Sequence, residues 1–174
     1  MSGFFQDANS NISELKKDII ADSLWLHTVK PELIEIKKRT LNLDSANNLI
    51  KMIVKLSNAD IQTVTYDDII NSGKLNIISD YNLKRQIVDY SNTIDGIKYI
   101  ENFIYQYFNQ FVMPFVYSNY NIIKEKISNP GIIKSISFSN VAVGYYGMIL
   151  QRITSYKQLL KKSFALRDNL KKLS

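Results

Sequence analysis

The sequence predicts an all-α protein, an antiparallel helical bundle of three long helices with two or three short ones. The first long helix is expected to be kinked or broken near Pro31. Three observations predict this class. Apolar residues recur at alternating three- and four-residue spacings over long stretches, the stripe of a helix that packs on other helices. The 174 residues include only three prolines and six glycines, so little interrupts those stripes. No segment alternates convincingly with the period of two that a half-buried strand shows. Hydrophobic residues make up 45% of the chain, enough for a sizeable core, which excludes a disordered protein.

Residues 1–10 read as a disordered or tag-like lead, and 11–174 as a single bundle domain. The first helix is expected from Asn11, with Glu14 as a capping partner, to about Arg39. Ile12, Leu15, Ile19, Leu26, Val29, Leu33 and Ile36 form its stripe, with Asp22 in place of one apolar member. Pro31 removes a backbone donor, hence the expected kink or break near His27. A second helix is expected over Ser45 to Ser57, with Leu49, Ile50, Met52, Ile53 and Leu56 apolar.

The stretch from Thr65 to Asn92 is the best specified. Thr65 is the expected cap of a short helix, with Asp67 and Asp68 favourable at the positive end of its dipole. Ile69 and Ile70 give that helix an apolar side. Gly73 falls where a left-handed C′ residue ends it. Leu75, Ile77 and Ile78 read as a buried connector, and Asp80 as the cap of the second long helix. That helix carries Leu83, Ile87, Tyr90, Ile94, Ile97, Ile100, Ile104, Phe108 and Phe111 inward to about Met113. Gly96 weakens it by about 1 kcal/mol relative to alanine, so a local irregularity is expected there. Pro114 ends or restarts it. Tyr120 to Lys126 reads as a short helical piece, and Asn129-Pro130-Gly131 as a turn. The last long helix begins near Ser137 or Ser139 and runs to about Lys172. Its stripe includes Val141, Tyr145, Met148, Ile149, Ile153, Tyr156, Leu160 and Phe164, and Gly144 and Gly147 admit a close backbone approach.

Few residues of the chain are of the kinds that carry chemistry. There is no cysteine, which excludes disulfides and thiolate catalysis. His27 is the single histidine, and neither Asp22 nor Glu32 stands at helical ligand spacing from it, so a packing or surface role is expected. No phosphate loop, dinucleotide fingerprint or zinc motif occurs, and no cofactor is expected. Asp67 and Asp68 are adjacent and point about 100° apart on a helix, which suits capping and not paired-carboxylate catalysis. The chain therefore reads as a non-enzyme. The uncharged run from Asn102 to Ile123 is broken by asparagines, glutamines and Pro114, so it reads as a buried helix and corner, not a membrane span.

Two groups remain as candidate sites. Tyr105, Phe108, Phe111, Tyr145 and Tyr156 are placed to line an internal pocket for a small apolar or ring-bearing ligand, with core packing as the competing reading. The net charge of +6 lies wholly in the last segment: Met1 to Gly147 holds 15 basic and 15 acidic residues, and the remainder seven basic residues against Asp168. Arg152, Lys157, Lys161, Lys162 and Lys172 are thus candidate contacts for an anionic partner, or a solvated face.

The order Tyr-Asp-Asp-Ile-Ile-Asn-Ser-Gly-Lys-Leu-Asn-Ile-Ile, then Leu-Lys-Arg-Gln-Ile-Val-Asp-Tyr, resembles the soluble domain of an uncharacterised family of bacterial single-pass membrane proteins. The matching positions are Thr65, Tyr66, Ser72, Gly73, Leu75, Ile77, Ile78, Leu83, Arg85, Ile87 and Tyr90, with Phe138 to Val141 similar at the start of the last helix. The resemblance implies an all-helical fold and a transmembrane helix preceding the first soluble one, a segment this chain does not carry before Asn11. It implies a periplasmic location, with the cytoplasm as the alternative, and it brings no catalytic residues. The expected role is a helical interaction module whose partner is a protein, a second copy included, with nucleic acid disfavoured. A small-ligand sensor and an anionic-surface binder are the alternatives.

Overall fold

The computed structural model describes residues 2–55 and 58–172. Leu56 and Ser57 of the expected second helix, and the Ile70 side chain, lie outside the described residues. Six α-helices follow in order: α1 (Ser2–Lys38), α2 (Leu43–Ile53), α3 (Val64–Asn71), α4 (Tyr81–Tyr107), α5 (Met113–Asn119) and α6 (Ile136–Lys172). The fold is all-α, a bundle built on the long helices α1, α4 and α6. The chain packs as two compact units: Met1–Ile20, Asn58–Ile100 and Ile153–Ser174 in the first, Ala21–Ser57 and Glu101–Arg152 in the second.

The long helices obey a seven-residue rule. Along α6 the buried positions include Phe138, Tyr145, Arg152, Leu159 and Leu166, interleaved with Ala142, Ile149, Tyr156, Ser163 and Leu170, with Val141 and Ile153 beside them. Along α1 they include Ala8, Leu15, Asp22, Val29 and Ile36, and along α4 Leu83, Tyr90, Ile97 and Ile104. This is the seam of helices packed side by side. In the first unit α4 and α6 run antiparallel: Gln86 meets Asn169, and Asp89 and Thr93 meet Lys162. In the second, α1 and α6 do so, with Asp22 on Arg152 and Trp25 on Tyr145.

The first ten residues depart from expectation. Residues 2–10 belong to α1 instead of preceding the bundle, with Phe4 only 2% exposed and Ala8 fully buried. Ala8 and Asn11 hold stripe positions, but neither is a strong apolar signal, so the periodicity faded upstream of Ile12. Pro31 lies inside α1, which continues through it without a break.

The corner keeps its plan with three corrections. α3 starts at Val64, so the capping position is Thr63, whose hydroxyl donates to Asp67 at 2.7 Å. The Thr65 N–H instead donates to the Asp7 carboxylate of α1 at 3.0 Å, an acceptor from 58 residues away. Gly73 adopts φ +68°, as its place after the short helix requires. The connector forms a 3₁₀ turn, Lys74–Ile77, and it is not buried: Ile77 is 75% exposed, while Leu75 and Ile78 are half-buried. Asp80 caps α4 as expected, accepting from the N–H groups of Asn82 and Leu83 at 2.9 and 3.1 Å.

α4 runs unbroken through Gly96, and the irregularity appears further on. Residues Phe108–Val112 form a π-helical turn in which the Met113 N–H donates to the Phe108 carbonyl, and α5 follows directly. Pro114 has no N–H for the Gln110 carbonyl, and its ring would press on that group; widening the preceding turn relieves both. Tyr120 to Lys126 is not helical. Tyr120–Asn121 (β1) and Lys126–Ile127 (β2) pair antiparallel, Tyr120 opposite Ile127. Asn121 accepts from the Lys124 N–H at 2.9 Å, and the Ile127 N–H donates to Asn47 of α2 at 2.7 Å, so tertiary bonding overrides local helix preference. The Asn129-Pro130-Gly131 turn opens a short 3₁₀ segment, Pro130–Lys134. α6 is then capped by Ser135, which accepts from the Phe138 N–H at 3.1 Å. No backbone makes the close approach expected at Gly144 and Gly147: at Gly144 the Tyr107 side chain takes the place of a Cβ, its hydroxyl nearest, and Gly147 faces open space.

Candidate functional site

The polar groups that the seams bury mark where the molecule holds something other than packing. In the second unit, Asp22 of α1 and Arg152 of α6 form a two-pronged ion pair, Nε to Oδ2 at 2.9 Å and Nη2 to Oδ1 at 2.6 Å. They are 6% and 3% exposed. The fork geometry satisfies both carboxylate oxygens, the condition under which a charge pair is tolerated inside a core.

Around this pair lies a cavity of about 170 Å³, lined by Ala21, Asp22, Trp25, Lys55, Tyr145, Ile149 and Arg152. Helix periodicity assembles it: Asp22 and Trp25 are one turn apart on α1, and Tyr145, Ile149 and Arg152 follow at four and three on α6. The Trp25 indole N–H donates to the Met52 carbonyl at 3.2 Å, which fixes the ring edge-on to Tyr145 with centroids 5.3 Å apart. Tyr145 is 2% exposed, and burial pushes its hydroxyl pKa up to about 12, opposed by Arg152 and reinforced by Asp22.

The first unit buries a different network. Asn11 of α1 donates to the Tyr90 hydroxyl at 2.7 Å and to the Gln62 carbonyl at 2.9 Å, and accepts from the Gln62 N–H at 2.7 Å. The Tyr156 hydroxyl accepts from the Ala59 N–H at 3.1 Å. These bonds tie the segment before α3 to the long helices. A separate open hollow of about 480 Å³ borders the corner, lined by Phe4, Ile69, Lys74, Ile77, Ile78 and Asp80 among others.

The aromatic residues expected to line one pocket are placed apart. Phe108 and Tyr145 make a ring contact at 6.4 Å, but Tyr105 and Phe111 are half or more exposed. Tyr156 lies in the core of the first unit. Among the basic candidates, Arg152 is withdrawn from any outside partner by its burial against Asp22. Lys162 binds Asp89 at 2.8 Å and the Thr93 hydroxyl at 2.7 Å. Lys157, Lys161 and Lys172 are exposed, as is His27. Trp25 and Lys55 were not expected at a site. The signal that could have found this cavity is the interrupted stripe: Asp22 stands in a seam, and Arg152 falls seven residues after Tyr145 in another.

Among the described residues no cluster of three or more histidine, aspartate or glutamate side chains is placed to hold a metal ion. Likewise no described helix is long and apolar enough to cross a membrane. No family model, curated protein or solved structure matches this chain.

Proposed function

We propose that the protein is a non-enzymatic helical interaction module that binds a partner protein through the aromatic surface of α4 and the π turn. The observation that carries this reading is that aromatic side chains expected in the core stand outside it. Tyr107 and Phe111 stack at 5.2 Å, Phe103 precedes Tyr107 by one turn, and Phe103, Tyr105 and Phe111 are each about half exposed. Val143 of α6 and Ile122 and Ile123 of the hairpin add exposed apolar surface in the same unit. Exposed aromatic clusters of this kind mark association surfaces, because rigid rings bury much area at little entropic cost. The resemblance of the corner to a family of single-pass membrane proteins supports a membrane-anchored, extracytoplasmic setting for the module.

A photoreactive phenylalanine analogue at position 105 or 111, and at 172 as a control, tests the reading in the native host. Specific adducts with one protein from 105 and 111 but not 172 are expected, and an adduct with a second copy would show self-association. Absence of adducts at both aromatic positions, or turnover in a broad hydrolase and transferase screen, overturns it.

A further inference from the structure

The tip of the β1–β2 hairpin carries apolar side chains for which the fold has no use. Ile122 and Ile123 are 59% and 95% exposed, and Ile123 is the most exposed large apolar side chain among the described residues. Turns are ordinarily built from glycine, asparagine, aspartate or serine, and β-branched residues suit them poorly. Here the other members of the turn shape it. Asn121 accepts from the Lys124 N–H at 2.9 Å, and Glu125 takes the left-handed φ of 49°. The two isoleucines serve neither the turn nor the core.

The base of the hairpin is fixed, so the tip is held out on a firm support. Tyr120 and Ile127 are buried as a cross-strand pair, and the Ile127 N–H is bonded to Asn47. Glu125 meets Lys51 of α2 at 2.6 Å, which neutralises the one acid of the turn. Lys124 and Lys126 stay exposed, and neither enters a salt bridge among the described residues. Two projecting isoleucines therefore stand between the turn and solvent with two uncompensated positive charges beside them. A protein partner of ordinary interface size covers roughly 800 Å² on each side, far more than two side chains on a convex turn offer. A bilayer needs no pocket to receive them: apolar side chains sink to the acyl boundary while basic ones reach anionic headgroups. From this complementarity we propose that the hairpin tip docks on an anionic lipid surface. Ile122 and Ile123 enter the acyl boundary, and Lys124 and Lys126 lie among the phosphates. So few groups give weak, reversible partitioning, on the order of the 10⁴ M⁻¹ of a single myristoyl chain.

Co-sedimentation of the full chain with mixed phosphatidylglycerol–phosphatidylcholine vesicles tests the proposal, with phosphatidylcholine vesicles as the control. Binding to the mixed vesicles, weaker binding to the control, and no displacement by inorganic phosphate at matched ionic strength are expected. The exposed lysines of α6 attract the same vesicles, so the deciding variant combines Ile122→Ser with Ile123→Ser and keeps every charge. Both side chains are exposed, so the variant should fold, and circular dichroism checks this. It should partition at least about tenfold more weakly than the parent. Lys124→Gln and Lys126→Gln should each weaken binding by about fivefold. No binding of the parent to mixed vesicles, displacement by inorganic phosphate, or equal binding by the isoleucine variant overturns the proposal. Adducts from positions 105 and 111 report on the aromatic surface of α4 alone, so the two readings fail separately.

Discussion

Asp22 and Arg152 each occupy a position where the seven-residue pattern calls for an apolar side chain, and each is tolerated because of the other. Removing Arg152 leaves the Asp22 carboxylate buried without the fork that satisfies it, and Arg152→Met is expected to lower stability by about 3–5 kcal/mol. Adding Asp22→Leu should recover most of that loss, and urea unfolding of the two single variants and the double variant measures the coupling. Additive losses would show that the pair is not coupled. Tyr145 makes a second residue-scale prediction. Its folded pKa of about 12 lies above the ordinary tyrosine value of 10.0, so the folded state holds the proton more tightly. The stability from this group is therefore complete below pH 10 and is lost as pH rises to about 12, a change of about 2–3 kcal/mol. Tyr145→Phe should flatten that part of the pH–stability curve, and an unaltered slope between pH 10 and 12 would count against it. Sequence alone exposed Asp22, because a carboxylate in an apolar stripe is visible. It did not expose Arg152 as the partner, because a basic residue in a basic segment reads as surface charge.

Among the elements, the corner was the most legible and the hairpin the least. Gly73, Asp80 and the turn at Asn129 depend on local backbone chemistry, which neighbouring residues encode. Gly73→Val is expected to cost about 1–2 kcal/mol. Nothing lies within 4 Å of a Cβ placed there, so the cost is purely that of φ +68°. An unchanged melting temperature would contradict it. The short strands β1 and β2, by contrast, are set by Asn47, which comes from a helix 80 residues earlier, and no local rule could announce that bond. Asn47→Ala leaves the part-buried Ile127 N–H without its acceptor, and a loss of about 1–3 kcal/mol is expected. Amide hydrogen exchange at Ile127 should accelerate in the same variant; protection equal to that of the parent would mean the hairpin holds itself. The cap of α3 was misplaced for the same reason as the hairpin, since Asp7 is a tertiary acceptor.

At the scale of the whole molecule, fold class was readable because three long stripes admit few other solutions. Which side of the aromatic stretch faces outward was not, because a helix rich in rings on every side has no unique apolar face. The N-terminal limit of the fold was lost in the weak signals of Ala8 and Asn11. Phe4→Ala should therefore cost about 3–5 kcal/mol, as for a ring removed from a packed core, whereas a tag-like lead would tolerate it. Thermal unfolding decides between the two. The charge excess also changes meaning: two of the seven basic residues behind it, Arg152 and Lys162, are engaged internally by Asp22 and Asp89, so the last helix presents less of it outward.

The ion pair of the second unit carries a consequence for descent. Positions 22 and 152 are 130 residues apart, yet losing Arg152 alone subtracts about 3–5 kcal/mol, a large share of the roughly 5–15 kcal/mol that keeps a domain folded. A lineage can leave this arrangement only by exchanging both residues nearly together, or after other substitutions have raised its stability. Relatives of this chain should accordingly fall into two classes, an acid with a base at these positions or two apolar residues, with mixed pairs rare.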